Sequence, residues 1–188
     1  MAYTQSPPMT KEEIESFLKE AQIARFCSIN KDGSIHAAPV WYKYETGRII
    51  VVTPEASRKV RNVKRNKNVT VLVDIEQPTV KGVVIYGKAE VQYPLTREKY
   101  MSDAVAVFEK YMSKDEAERY AAGLFKVTRG VKIVVTPDRM ASFDTNKDET
   151  LRALPEDNMA PICPHSRTRS LHSVLLSTSA SSTSLRSG

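Results

Sequence analysis

The chain has 188 residues, enough for one cored domain, and its 41% hydrophobic and 27% charged content is that of an ordinary globular protein. The longest wholly aliphatic run, Ile49 to Val52, is far short of the ~18 residues of a membrane span, and the two cysteines, Cys27 and Cys163, are too few for a disulfide framework or a four-cysteine zinc site. The net charge of +6 is uneven: residues 158–188 carry Arg167, Arg169 and Arg186 and no acid, while Arg58, Lys59, Arg61, Lys64, Arg65 and Lys67 crowd into ten positions.

The first eight residues, Met1 to Pro8, have neither a basic stretch nor an apolar one, so no secretory signal is read and a cytoplasmic location is expected. Thr10 and Glu13 are spaced as a capping box, with Met9 and Ile14 at the staple positions, and predict a helix over 11–21. Residues 23–30 are short and rich in β-formers and end at Asp32-Gly33, a strong hairpin signal. A second strand is expected from Ser34 to about Tyr44. After the turn at Glu45-Thr46-Gly47 comes a third, Arg48 to Thr53, whose nearly continuous β-branched residues imply burial on both faces.

Beyond Pro54, Ser57 stands where it can cap a short helix running to about Asn66, with Val60 and Val63 as a narrow apolar stripe beneath the basic residues. Val69–Ile75 and Val80–Tyr93 read as two further strands. Helices follow over 96–113 and 115–126, the first carrying Tyr100, Ala104, Val107, Phe108 and Tyr111 on one face, then a last strand over 130–136. No period of 20–50 residues suggests a repeat protein. The organisation expected is a folded domain over 1–155 and a disordered tail over 156–188, because residues 166–188 hold nine Ser and three Thr without an aromatic or an acid.

Several patterns carry less than they suggest. Gly82 to Lys88 fits the glycine and lysine spacing of a phosphate loop, but Ala89 stands where Ser or Thr is needed and the residues between are strand formers, whose amides are spent in a ladder. Asn68-Val69-Thr70 is a glycosylation sequon without a secretion signal. Cys163, His165 and His172 lie in the tail without a fourth ligand or regular spacing, and no metal is expected.

Thr53 to Lys59 is different. A strand ends in a hydroxyl residue, a tight turn follows, and a helix opens with Ser57-Arg58-Lys59, so two hydroxyls, first-turn amides, the positive end of the helix dipole and two cations can converge on one phosphate. The same residues also describe a solvated basic helix with an ordinary serine cap. Arg61, Lys64 and Arg65 are too far along the helix to reach that phosphate and suit the surface or an acidic partner.

The order of elements and residues resembles the flavin-binding split β-barrels related to pyridoxamine 5'-phosphate oxidase. Four stretches over residues 9–143 carry the likeness: Ala24 to Ile29 with Asp32-Gly33 and His36; Pro39-Val40-Trp41-Tyr42; Ile50 to Thr53 through Ser57-Arg58-Lys59-Val60-Arg61-Asn62; and Ile85 to Val91, with Thr136-Pro137-Asp138-Arg139 near the end. The resemblance implies an α+β fold built on a six-stranded antiparallel split barrel, and a homodimer holding FMN in a cleft between subunits. It places the phosphate ligands on Thr53, Ser57, Arg58 and Lys59 and a further cofactor-binding lysine on Lys43, and Trp41 and Tyr42 become candidates to wall the flavin ring or simply to pack. His36 is either a substrate contact or structural.

Ala38 and Gly82 replace an arginine and a glutamine of the true oxidases, and their C-terminal arginine-and-histidine motif has no counterpart, so vitamin B6 oxidation is not expected. The function implied is an FMN-dependent oxidoreductase passing hydride to or from an unknown small molecule. The alternatives are a reductase using the 8-hydroxy-deazaflavin coenzyme, whose acidic tail would meet Arg61 and Arg65, and a non-catalytic split barrel that stores flavin or haem. Nucleic acid is not expected as a partner, since the basic helix lacks interleaved aromatics.

Overall fold

A computed structural model describes residues 6–20, 23–77 and 79–149, all within the unit Met1–Arg152. The elements are α1 (Lys11–Glu20), β1 (Ala24–Ile29), β2 (Ile35–Val40), β3 (Lys43–Glu45), β4 (Arg48–Pro54), α2 (Arg58–Arg65), β5 (Asn68–Ile75), β6 (Lys81–Gln92), α3 (Arg97–Phe108), α4 (Lys114–Val127) and β7 (Gly130–Asp144), followed by a short 3-10 turn. The expected tail over 156–188 lies outside the described residues. No helix among the described residues is long and apolar enough to cross a membrane.

All seven strands join one antiparallel sheet in the order β2-β1-β5-β6-β7-β4-β3. The expected strand over 34–44 is therefore two strands, broken at Trp41-Tyr42, and they sit at opposite edges of the sheet. The break also raises the strand count from the six expected to seven. A flat seven-stranded sheet would hold its edges about 29 Å apart at ~4.8 Å per strand, whereas the three steps from Val40 to Lys43 reach about 11 Å. The sheet must curl on itself, and it does so as an antiparallel half-barrel.

Alternation along the strands follows from that curl. Phe26, Ile49, Val51, Val71, Val73, Val83, Ile85, Ile133 and Val135 point into one core, which α1 joins through Phe17 and Leu18 and α2 through Val60 and Val63. Ile50 and Val52, on the other face of β4, pack against a second cluster built by Tyr100, Ala104, Val107 and Phe108 of α3 with Ala117 and Ala121 of α4. Both faces of β4 are thus covered, as its β-branched run implied.

The local signals at the start of α1 and at the β1–β2 turn hold. Thr10 Oγ1 accepts from the Glu13 amide at 3.3 Å while Glu13 takes the Thr10 amide at 2.6 Å, and Met9 and Ile14 join the core. Gly33, at φ +85°, makes the β1–β2 turn, where the left-handed backbone suits glycine.

The last strand outruns its expected end by eight residues, because β7 passes Pro137 at an irregularity beside Tyr86 and Gly87 and pairs on to Asp144. Gly87, one of the glycines of the false phosphate loop, serves this irregularity: a Cβ there would lie 2.3 Å from the Thr136 carbonyl oxygen. Gly87→Ala is expected to lower stability by about 2 kcal/mol or more through backbone displacement, read as an earlier urea midpoint with an unchanged slope. A wild-type midpoint would mean that the strand pair can part at no cost.

Candidate anion site at the start of helix α2

Thr53, next to last in β4, is buried, on the same face as Ile49 and Val51. Four residues on, Ser57 occupies the N-cap of α2 in extended backbone conformation, yet its side chain makes no capping bond, which departs from the capping role its position suggested. Its hydroxyl instead lies 3.5 Å from Thr53 Oγ1, and Lys59 Nζ donates to Thr53 Oγ1 at 3.1 Å. Thr53, Ser57 and Lys59 thus meet at one point, beside first-turn amides that have no acceptor within the helix.

The charges are arranged as for an anion. In α1, α3 and α4 the first turn carries acids and a hydroxyl residue caps the helix, as the dipole favours; α2 has no acid there and opens with Arg58 and Lys59. The only acid from 53 to 67 is Glu55, whose carboxylate accepts from the Tyr93 hydroxyl at 3.0 Å and pairs with Lys64 at 3.5 Å and Arg129 at 3.6 Å. That hydrogen bond and the two cations hold Glu55 below the usual carboxylate range.

Arg58 is exposed and lies near enough to the β1–β2 turn for its charge to add to the Ser34 hydrogen bonds that hold Asp32 low. Lys59 has no carboxylate within 4 Å among the described residues, and burial pushes its amine below the usual lysine value.

A buried polar network that sequence reasoning missed holds this helix in place. Asn62 is 3% exposed; its amide nitrogen donates to Ser28 Oγ at 3.1 Å and Asn30 Oδ1 at 3.0 Å, and its oxygen accepts from Arg65 at 3.1 Å. Arg65 also donates to the Ile29 carbonyl. Its guanidinium is therefore tied to the end of β1 and to Asn62, although both Arg65 and Arg61 are exposed. The signal was present in the position of Asn62 between Val60 and Val63, on the edge of the stripe that docks.

The remaining candidates lie elsewhere. Lys43, on β3, pairs with Glu45 at 2.9 Å. Trp41 stacks on Tyr111 at 5.1 Å and meets Phe108 edge-on at 5.7 Å, against the α3–α4 cluster. Tyr42 is wholly buried in the sheet core, its hydroxyl donating to the Leu18 carbonyl at 2.8 Å. His36 is half-buried on β2, in register with Ser28. Two surface depressions, of about 570 Å³ around Phe17, Arg25 and Lys81 and about 450 Å³ along α3 and α4, include no member of the Thr53 cluster. Among the described residues no His, Cys, Asp and Glu cluster could hold a metal, and Cys163, His165 and His172 lie outside them.

The family model described as pyridoxamine 5'-phosphate oxidase matches residues 10–130, nearly two-thirds of the chain. No curated protein matches the sequence. Among solved structures, conserved hypothetical protein Rv2991 from Mycobacterium tuberculosis is 25% identical with a TM-score of 0.64, covering 81% of this chain and 94% of that one. A FAD-binding protein from Mesorhizobium loti is 19% identical at TM-score 0.55, over 72% of this chain and 93% of its own. An F420 reductase is 18% identical at TM-score 0.51, over 67% and 94% respectively. The last two likenesses are of fold.

Two outcomes follow from the geometry. Asn62→Ala is expected to cost about 2 kcal/mol, since it strips partners from buried polar atoms, and chemical denaturation checks it. Burial disfavours the charged form of Lys59 in the fold, so its charge opposes folding at neutral pH and that burden lifts as pH rises toward the ordinary lysine value of 10.5. Lys59→Met is therefore expected to raise the melting temperature of the ligand-free protein near pH 7, with the gap from wild type closing toward pH 10.5; a gap independent of pH would remove charge burial as its cause.

Proposed function

Because the chain belongs to the pyridoxamine 5'-phosphate oxidase family, we propose that it is an FMN-dependent oxidoreductase that passes hydride to or from a small molecule. The observation that carries this reading is the junction of Thr53, Ser57 and Lys59, with Arg58 beside it: two hydroxyls, two cations and free helix amides at one point, the nearby carboxylate of Glu55 already bound to other partners. This donor set fits a phosphate monoester and offers nothing that suits a cation.

In this reading Lys59 and Thr53 hold the phosphate from the buried side. Ser57 keeps its hydroxyl for the ligand, the first-turn amides of α2 donate, and Arg58 closes the site from solvent. A bound isoalloxazine supplies the hydride chemistry, and the protein supplies binding, orientation and exclusion of water. Lys43 and Trp41 remain candidates for contact with the rest of the cofactor, through the side chains' far ends or across a subunit interface.

In this reading the cofactor is shared between two copies of the chain. Ile35, Ala37 and Pro39 alternate along the exposed face of edge strand β2, with Ile35 66% exposed, and offer an apolar strip to such a partner. A second reading, the deazaflavin coenzyme, is favoured by Arg61 alone, which is exposed one turn along α2 from Arg58 and outside every ion pair among the described residues.

The purified protein is expected to take up FMN, seen as a shifted flavin absorption band, and to sediment as a dimer. Arg58→Ala with Lys59→Ala should weaken FMN binding about 100-fold or more, at one to two charge-assisted hydrogen bonds each, without unfolding the chain. FMN binding that survives the double substitution would move the phosphate elsewhere. Uptake of the deazaflavin coenzyme in place of FMN would select the second reading.

A further inference from the structure

Lys110, two residues beyond the end of α3, is a half-buried cation that the flavin reading leaves unused. Its Nζ donates to the Leu18 carbonyl at 3.2 Å and sits 3.7 Å from the centroid of the Tyr42 ring, with the Tyr111 ring at 5.7 Å. The Leu18 carbonyl, in the last turn of α1, also accepts from the Tyr42 hydroxyl. Lys110 therefore ties the end of α1 to the segment between α3 and α4.

No carboxylate lies within 4 Å of this ammonium among the described residues. The titratable groups that meet it are phenols: burial pushes Tyr42 far above its usual value and Tyr111 up to about 12, so both stay neutral in the physiological range. From α1 it receives only a carbonyl, since Lys19 and Glu20 are exposed, as is Glu109 on its own segment. An aromatic face and one carbonyl are weak recompense for lost water, and burial pushes the amine down to about 8.

We propose that Lys110 is a site of non-enzymatic acylation by small acyl phosphates, a modification that loosens the hold of the α3–α4 connection on α1. The neutral Nζ attacks the carbonyl carbon of the acyl phosphate and a C–N bond forms. The C–O bond to phosphorus breaks, inorganic phosphate leaves with the electron pair, and the amine proton passes to water. No oxidant or reductant enters. The chain's net charge of +6 draws a small anionic reagent. The amide product carries no charge, so the cation–π contact with Tyr42 is lost and Lys110 offers the Leu18 carbonyl at most one weaker donor.

Full-length protein treated with acetyl phosphate at pH 8 and mapped by peptide mass spectrometry tests this. Lys110 is expected to acetylate at least about fivefold faster than the exposed Lys31 and Lys114, as a desolvated lysine nucleophile should. The advantage should narrow as pH rises to 10.5, and it should vanish in urea, where the site is gone. A rate no greater than that of Lys114 at pH 8 overturns the proposal, as does an advantage unchanged at pH 10.5. Trp41, the single tryptophan, stacks on Tyr111 and reports the consequence: Lys110→Gln should shift its emission and Lys110→Arg should not. If Lys110→Gln fails to fold, emission of the acetylated wild type takes its place, and an unchanged spectrum overturns the loosening.

Discussion

The two-residue connection between β2 and β3 is the constraint from which the rest of the structure follows. Val40 ends one edge of the sheet and Lys43 begins the other, so the sheet has to curl until its two edges come within reach of that link. The two residues of the link then face opposite environments. Tyr42 goes inward, where its hydroxyl finds the carbonyl of Leu18, while Trp41 goes outward and stacks on Tyr111 against α3 and α4. Tyr111 returns the contact to the backbone, donating to the Tyr42 carbonyl and accepting from the Tyr42 amide, each at 3.0 Å. One short link thus closes the sheet and docks both the first helix and the helix pair.

Much of this was legible in the sequence because local signals and tertiary contacts agree. Thr10 with Glu13, Asp32 with Gly33 and the stripe of Tyr100, Ala104, Val107 and Phe108 each dictate an element through short-range chemistry, although α3 stops at Phe108 rather than at the expected 113, so Tyr111 lies beyond the helix, where it meets Trp41 and Tyr42. The break at Trp41-Tyr42 was not legible, since both are good strand formers and Pro39 before them still pairs within β2; only the ladder partners of β2 and β3 reveal it. Pro137 misled in the opposite direction. It reads as a stop, but the irregularity beside Gly87 lets β7 pass without the missing amide being needed.

The candidate site divides in the same way. Thr53, Ser57 and Lys59 lie within seven residues, and a strand, a turn and the first helical turn bring them together almost regardless of the rest of the chain. The support of that site is non-local. Asn62 meets Ser28 and Asn30 across more than thirty residues, and Glu55 meets Tyr93 and Arg129 across still more, so no spacing rule exposes them. These contacts explain why a helix of eight residues, too short to persist alone, can present a fixed donor set.

Helix α2 is also the place where the chain sets stability aside. The other three α-helices satisfy their first turns with acids and side-chain caps, whereas α2 places two cations against its own positive end, leaves the Ser57 hydroxyl outside the capping pattern, and buries part of Lys59 without a counterion. Each of these choices disfavours the isolated fold, and all are reversed in sign by one ligand, an anion carrying several acceptor oxygens. Local rules broken together at a single point, with the nearby acid held elsewhere and an Asn-centred anchor beneath, are what the proposed phosphate site requires.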